Sequence, residues 1–311
     1  MSEYDVVVIG GGAAGLSAAL VLSRALRSVA VVDAGTPRNA PAGHMQGFLS
    51  RDGMPPSELL AAGRAEITSY GTHVVAGTVA EITPQAGPRF QVVLADGQQL
   101  QTRRVLVATG LRDELPEIPG VRERWGRDLL HCPYCHGYEV RDQPLGVLGG
   151  TPEAAQHALL VRQWSSDVVC FSHTDPVTDA DRERLTARGV GIVDGRVTRL
   201  VVDGDRLRGV ELADGSVVGR TAVFVRPRLV PHSDLLVGLG CAMEDGGWVD
   251  ADPTGRTSTA GVWVAGNAGD PRAQVITAAG EGSAAAIAIN ADLVEEDTRH
   301  ALSATADASR R

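Results

Sequence analysis

Nine consecutive residues, His131-Cys132-Pro133-Tyr134-Cys135-His136-Gly137-Tyr138-Glu139, concentrate the reactive groups of this 311-residue chain. Two thiols separated by two residues can close a small disulfide ring, and the spacing suits reversible dithiol–disulfide exchange. The thiolate is the reactive form, and a neighbouring imidazole or a helix N-terminus lowers a thiol pKa enough to populate it. His131 and His136 flank the pair. Either can take a proton from an incoming thiol and return one to a departing thiol, because imidazole titrates near neutral pH. The competing chemistry is zinc binding by Cys132, Cys135 and one or both histidines. A structural zinc site needs four ligands, usually as two close pairs. Cys170 lies in an apolar run and Cys241 in a separate Gly-rich segment, neither with a partner at ligand spacing. Redox exchange without a metal is the better account, and Cys170 and Cys241 read as buried packing residues.

A redox pair needs an electron partner, and the first thirty-five residues supply a place for one. Val6 to Ile9 is a short apolar run leading into Gly10-Gly11-Gly12-Ala13-Ala14-Gly15, then an Ala- and Leu-rich segment, then Val29-Ala30-Val31-Val32-Asp33. The pattern is strand, tight turn, helix, strand. Gly10 allows the turn, Gly12 lets a pyrophosphate approach the backbone, and Gly15 lets the helix pack on the strand. The helix start offers unpaired N–H groups to phosphate oxygens, and Asp33 is placed to accept from a ribose hydroxyl. Near the other end, Gly261 to Asn267 reads as a buried strand ending in a Gly turn. Gln274 to Gly282 then begins an Ala-rich helix. A second Gly-bearing helix start is what a ligand longer than one nucleotide needs, although this segment alone also fits plain α/β core.

With Ala108-Thr109-Gly110 added to these two motifs, the chain resembles the low-molecular-weight thioredoxin reductases over roughly Tyr4 to Leu293. The resemblance implies an α/β fold of two Rossmann-like dinucleotide-binding domains. A discontinuous FAD domain (1–113 plus 243–311) would enclose an inserted domain (114–242) that carries the cysteine pair. It implies FAD as cofactor, held by Gly10, Gly12, Ala14, Gly15, Asp33, Ala108, Thr109, Gly110, Gly266, Asn267, Gln274 and Val275. In the family an Asp stands where this chain has Asn267 and contacts the ribityl chain, and Gln274 and Val275 would lie near the pyrimidine end of the flavin. Carried over, Cys135 is the flavin-proximal thiol and Cys132 the exchanging one; the acid after the second cysteine is replaced by His136. A homodimer is likewise implied.

The second glycine motif departs from the family. Gly149 and Gly150 are present, but the third glycine is Thr151, followed by Pro152 and Glu153. A side chain there obstructs pyrophosphate, and a carboxylate at a helix start repels phosphate. After Asp167 to Phe171, Ser172-His173-Thr174-Asp175 replaces the arginines that would meet the 2′-phosphate of NADPH, with no Arg before Arg182. Electrons would then run from a dithiol to the flavin. That combination, with Cys132 to Glu139 and the stretch Pro37-Arg38-Asn39 to Phe48, resembles the dithiol oxidases of the holomycin and gliotoxin pathways. The expected partners are a small-molecule dithiol and O2, which is reduced to H2O2. An NAD(P)H-dependent reductase of a thioredoxin-like protein, or a non-enzymic redox sensor, are the other readings.

Composition limits the rest. A formal charge of -9 argues against nucleic acid or an anionic membrane surface as the main partner. No apolar run reaches about 18 residues, so nothing should span a membrane. A strand-like run beginning at Tyr4 leaves no room for a signal peptide, and four cysteines with one close pair fit a cytoplasmic protein. Arg226, Arg228 and His232 read as a solvated loop, Trp164 and Trp248 as packing, Leu207 to Ser216 as a hairpin turning at Asp214-Gly215, and Ala301 to Arg311 as a frayed tail.

Overall fold

Short runs of valine and isoleucine decide the architecture, because a strand covered on both faces is apolar at every position rather than at alternate ones. The computed structural model describes residues 2–87 and 89–308. The chain opens with β1 (Ser2–Ile9), α1 (Ala13–Arg24) and β2 (Val29–Asp33), then α2 (Pro56–Ser69) and β3 (His73–Ala76). An antiparallel meander follows, β4 (Val79–Gln85), β5 (Arg89–Leu94) and β6 (Gln99–Val107). All six share one sheet in the order β3-β2-β1-β6-β5-β4, with β1, β2, β3 and β6 parallel.

The chain leaves this unit along β7 (Leu111–Glu114) and passes a helical turn, α3 (Val121–Arg124), to reach β8 (Leu129–Leu130) and the one-turn helix α4 (Pro133–His136). Next come β9 (Leu145–Leu148), α5 (Ala154–Val161), β10 (Val168–Phe171), α6 (Asp179–Ala187) and β11 (Gly191–Val193). A three-stranded antiparallel sheet, β12 (Val197–Asp203), β13 (Arg206–Leu212) and β14 (Val217–Gly219), precedes β15 (Ala222–Val225). The turn of its second hairpin is Asp214-Gly215, as expected, with Gly215 at φ +83°. The parallel sheet runs β11-β10-β9-β15-β8. Its two faces are covered separately. Leu130, Val147, Cys170 and Phe224 face Ala155, Ala158 and Val161 of α5, whereas Leu129, Leu148, Phe171 and Val223 face Leu200, Leu207 and Val210 of the small sheet.

The return follows β16 (Arg228–Pro231), which pairs with β7, then α7 (Asp234–Gly238), β17 (Val262–Val264) beside β6, and α8 (Val275–Ala308). Both units are therefore α/β with parallel sheets, the two-Rossmann organisation read from the sequence. One unit holds residues 1–40, 55–112 and 229–311; the other holds 41–54 and 113–228. The return crossing thus lies at 228/229 rather than 242/243, because Leu236, Leu239 and Cys241 pack with Val105, Val107 and Val262 of the first sheet. Residues 41–54 also cluster with the second unit, where Pro41 lies against Gly126.

The stretch expected to fray from Ala301 is helix through Ala308, and 309–311 lie outside the described residues. Its hydroxyls bond back to the preceding turn, Ser303 donating to the Arg299 carbonyl at 3.0 Å and Thr305 to Ala301 at 2.9 Å. At the far edge of β6, Arg104 is 2% exposed and donates to Asp292 at 2.6 Å and Glu296 at 2.5 Å. Burial alone would raise the Glu296 pKa; the hydrogen bonds from Arg104 and Arg103 outweigh it and hold the carboxyl below its usual range. A charge this deep survives only when paired, so this cluster ties α8 to the sheet. Among the described residues no helix is long and apolar enough to cross a membrane.

Candidate active site

Strand β8 delivers the reactive segment to the carboxyl edge of the second parallel sheet, where open α/β sheets bind their ligands. Cys132 is the N-cap of α4, and Pro133 at the first helical position needs no N–H partner. Cys132 and Cys135 form a disulfide, with Cα atoms 5.2 Å apart. The Cys135 backbone N–H donates to Cys132 Sγ at 3.2 Å. That donor stabilises negative charge on Cys132 whenever the bond opens. Gly137 closes the turn where no side chain fits, since a Cβ would come within 2.8 Å of the Trp164 ring. Trp164, read from sequence as ordinary packing, is thus part of the reactive turn; its own position 27 residues after Gly137 gave no sign of this.

The two histidines flank the pair in the chain, His131 before Cys132 and His136 after Cys135. His131 Nδ1 lies 3.2 Å from the Val225 carbonyl on β15. A carbonyl only accepts, so Nδ1 carries the proton in this contact. His136 is half-buried, and burial pushes its pKa down despite the opposing pull of Glu139, which keeps the ring neutral and able to accept a proton. Beneath His131 lies a residue the sequence did not single out. His157 of α5 is 4% exposed, edge-on to His131 at 6.4 Å, with its pKa driven down to about 3 by burial and then by His131 and Arg226. It is a neutral packing imidazole, and only its alanine-rich helix face hinted at burial. Cys170 is also inert: burial, then Asp181 and Asp194, push its thiol up to about 11. Cys241 is buried near Thr257.

In the first unit Gly10 and Gly15 make the close backbone approaches that a tight strand–turn–helix junction requires. Gly10 has φ +108°, and a Cβ on it would come within 2.7 Å of the Ala108 carbonyl carbon. A Cβ on Gly15 would overlap the Gly10 carbonyl. At Gly12 the same test finds nothing within 4 Å, and the start of α1 has no side-chain cap and no acid in its first turn. A pocket of this shape, lined by N–H groups, fits a dinucleotide pyrophosphate. Asp33 accepts from Gly11 N–H and Gly35 N–H, each at 3.2 Å, and pairs with Arg64 at 2.7 Å. Burial opposes ionisation there, but Arg64 and the two N–H groups prevail and hold the carboxyl ionised. Gly11, unassigned from sequence, is pinned by that carboxylate, since its Cβ would meet Asp33 at 2.6 Å.

The C-terminal motif closes on the same cradle. Gly266, φ +68°, packs on Ala14, and Gly282 of α8 leaves no space for a Cβ against the Ala14 backbone. Glu281, also missed, accepts from Gly266 N–H at 2.8 Å. Asn267 donates to the Asp270 and Ala273 carbonyls at 2.9 and 3.0 Å and accepts from Arg38 at 3.3 Å, so its amide shapes the loop. Gln274 and Val275 stand at the start of α8. The Thr109 hydroxyl donates to the His232 carbonyl, and His232 N–H to that of Gly110, so His232 clasps the 108–110 turn rather than merely lining a loop.

At the second glycine loop a Cβ on Gly149 would lie 2.6 Å from the Ser172 carbonyl. Gly150, φ +96°, has His173 and Thr174 side-chain atoms at 3.1 and 3.0 Å from where its Cβ would be. His173 is fixed there in the left-handed region, φ +55°, its Nδ1 accepting from Val197 N–H at 3.1 Å. The Thr151 hydroxyl is buried without a hydrogen-bond partner, and Glu153 occupies the N-cap of α5.

The pyridine nucleotide-disulphide oxidoreductase family model matches residues 4–282. Thioredoxin reductase sirT of Leptosphaeria maculans is 31% identical, over 93% of this chain and 94% of that one. The crystal structure of HlmI superposes with a TM-score of 0.95 at 61% identity, over 97% of this chain and 96% of that one. A putative thioredoxin reductase, TrxB from Bacillus anthracis, gives 0.90 at 35% identity, over 94% and 99%. With the cysteine pair, the pyrophosphate cradle and the full-length match together, the chain belongs to the pyridine nucleotide-disulphide oxidoreductases, as a thioredoxin reductase-like, FAD-binding thiol–disulfide oxidoreductase.

Proposed function

We propose that the protein is a dithiol oxidase that closes an intramolecular disulfide in a small-molecule dithiol, with O2 as final acceptor and H2O2 as product. The observation that carries this reading is the second glycine loop. Thr151 stands at its third position, Glu153 places a carboxylate at the N-cap position of the helix that phosphate would approach, and the side chains of His173 and Thr174 lie beside Gly150. A nicotinamide reductant has poor access to such a loop, so the substrate itself must supply the electrons. The greater identity to HlmI than to TrxB points the same way.

The residues of the second unit divide the work. One substrate thiolate attacks Cys132 Sγ; the Cys132–Cys135 bond breaks and Cys135 leaves as thiolate. The second substrate thiol gives its proton to His136 or to His131 Nε2 and attacks the substrate sulfur of the mixed disulfide. Cys132 departs as a thiolate held by the Cys135 N–H. The substrate has then lost two electrons and two protons, and the cysteine pair has gained the electrons. FAD, held by the Gly10–Gly15 turn and Asp33, would supply the two-electron acceptor for the reduced pair, with O2 as the final acceptor.

Anaerobic mixing of the purified protein with dithiothreitol, NADH or NADPH tests this. Dithiothreitol is expected to bleach the flavin, with colour and peroxide returning in air, while equimolar NADPH leaves it oxidised. Rapid bleaching by NADPH would make the protein a nicotinamide-dependent disulfide reductase instead.

We also propose a homodimer and a cytoplasmic location, the latter because the cysteine pair serves turnover and not an extracellular scaffold. Along α8, Ile276, Ala284, Ile287, Ala291, Val294 and Leu302 recur at helical spacing on one exposed, uncharged stripe. A second copy of that stripe is its natural cover. Light scattering is expected to give twice the monomer mass, and Ile287→Glu the monomer mass with flavin retained; a monomeric wild type would sink the proposal.

A further inference from the structure

A helix of one turn does not hold itself. In α4 the Cys135 and His136 N–H groups donate to the Cys132 carbonyl, each at 3.1 Å, and Gly137 N–H donates to that of Pro133 at 2.7 Å. So few bonds do not offset the cost of ordering the turn in water. While the disulfide is closed, its covalent ring keeps the turn in shape. During turnover that bond is open, and other contacts must keep the two sulfurs within reach of each other.

Trp164 supplies such contacts. It lies in the link from α5 to β10, and its indole is packed so closely on Gly137 that a Cβ there would come within 2.8 and 2.9 Å of two ring atoms. The ring of Tyr134 stands edge-on to the same indole, centroids 5.5 Å apart and planes at 87°. The indole therefore meets the turn on both chain sides of Cys135. The main chain that leaves the turn is fastened to the same link. Asp142, in the left-handed region at φ +60°, donates its N–H to the Trp164 carbonyl at 2.9 Å. Ser165, 3% exposed, donates its hydroxyl to the Gln143 carbonyl at 2.6 Å, and Leu145 N–H donates to the Asp167 carbonyl at 2.9 Å where β9 meets β10. None of these contacts involves a sulfur, so all of them can outlast the bond.

We infer that Trp164 is a positioning residue for the redox pair: packed on Tyr134 and Gly137, it holds the turn in its disulfide geometry while Cys132 and Cys135 are reduced, and so favours their closing on each other again. It acts through the effective concentration of one thiol at the other. The role is the same whichever way electrons run through the pair, and it does not depend on the dithiol-oxidase reading. In Trp164→Ala both redox forms lose the packing. Only the reduced turn gains freedom in return, because the oxidised one is still tied by its ring. The balance must therefore move toward the dithiol.

Anaerobic equilibration of the holoenzyme with glutathione and glutathione disulfide reads that balance. Two glutathione thiols give their protons and two electrons to the Cys132–Cys135 bond, which opens to two thiols, and they join as one glutathione disulfide. After acid quenching, denaturation and alkylation, mass spectrometry finds two labels on the oxidised chain, at Cys170 and Cys241, and four on the reduced one. The equilibrium constant for closing the disulfide is expected to fall about tenfold in Trp164→Ala and about threefold in Trp164→Phe, which keeps a smaller ring against Gly137. A residue that only stabilised the unit would weaken oxidised and reduced protein alike and leave the constant where it was. An unchanged or larger constant in Trp164→Ala overturns the inference. If Trp164→Ala does not fold, Trp164→Phe decides on the same terms, and a constant equal to that of wild type is then the overturning result.

Discussion

Replacing either cysteine of the pair is expected to lower dithiol oxidation by on the order of 10³-fold or more, because in the proposed cycle every electron crosses that disulfide. Neither Cys170 nor Cys241 can stand in, both being buried and the first held protonated by its surroundings. The two variants should differ in the thiol each leaves behind. In Cys135→Ser the remaining Cys132 keeps the backbone N–H of residue 135 pointed at its sulfur, so more of it is thiolate near neutral pH. In Cys132→Ser the remaining Cys135 has no such donor among the described contacts. Reaction with 5,5′-dithiobis(2-nitrobenzoate) at pH 7 is therefore expected to be about tenfold faster for Cys135→Ser. Comparable rates, or a faster Cys132→Ser protein, would reverse the roles given to the two sulfurs. Dithiol-driven flavin bleaching that survives Cys135→Ser would remove the pair from the electron path altogether.

What made the pair visible in the sequence is that its chemistry is local. Two thiols, the proline at the first helical position and both histidines lie within six residues, so type and spacing carry the meaning. The same holds for Gly10, Gly12 and Gly15, whose steric reasons act within one turn. Legibility stops where the partner is distant. Gly11 answers to Asp33, Gly282 to Ala14, and Glu281 to Gly266, and no periodicity connects such residues. Trp164 and His157 reach the reactive turn only because the strands between them fold back into one sheet. The return crossing was misplaced for a related reason. Leu236, Leu239 and Cys241 form an apolar pattern that would suit either core, and only packing against β6 and β17 assigns them to the first. Fold class survived these gaps because it depends on strand order and covered faces, which the valine-rich runs already imposed.

Gly12 and Gly15 stand three residues apart in one motif, yet alanine at each is expected to fail in a different way. At Gly15 the new methyl would overlap the Gly10 carbonyl, and neither backbone can move without pulling α1 off β1. A clash of that kind costs about 1–3 kcal/mol or more, in the core where Ala18 of α1 packs with Val6 and Val8 of β1. Gly15→Ala should therefore lower Tm by several degrees even before FAD is considered. At Gly12 the methyl meets no protein atom within 4 Å, and the backbone there, φ -80° and ψ -172°, is open to any residue. The apoprotein of Gly12→Ala is then expected to match wild-type apoprotein in circular dichroism and Tm. FAD is another matter, because the methyl enters the space a pyrophosphate would take beside the start of α1. Its Kd is expected to rise by roughly 10²-fold, which corresponds to about 2.7 kcal/mol, and the variant should emerge colourless at ordinary dilution. Fluorescence titration of FAD into each apoprotein, run beside a thermal melt, reads the two effects separately. Full FAD affinity in Gly12→Ala would mean that the open space at residue 12 is not where the cofactor's phosphates lie, and the cradle would have to be sought elsewhere along the sheet edge.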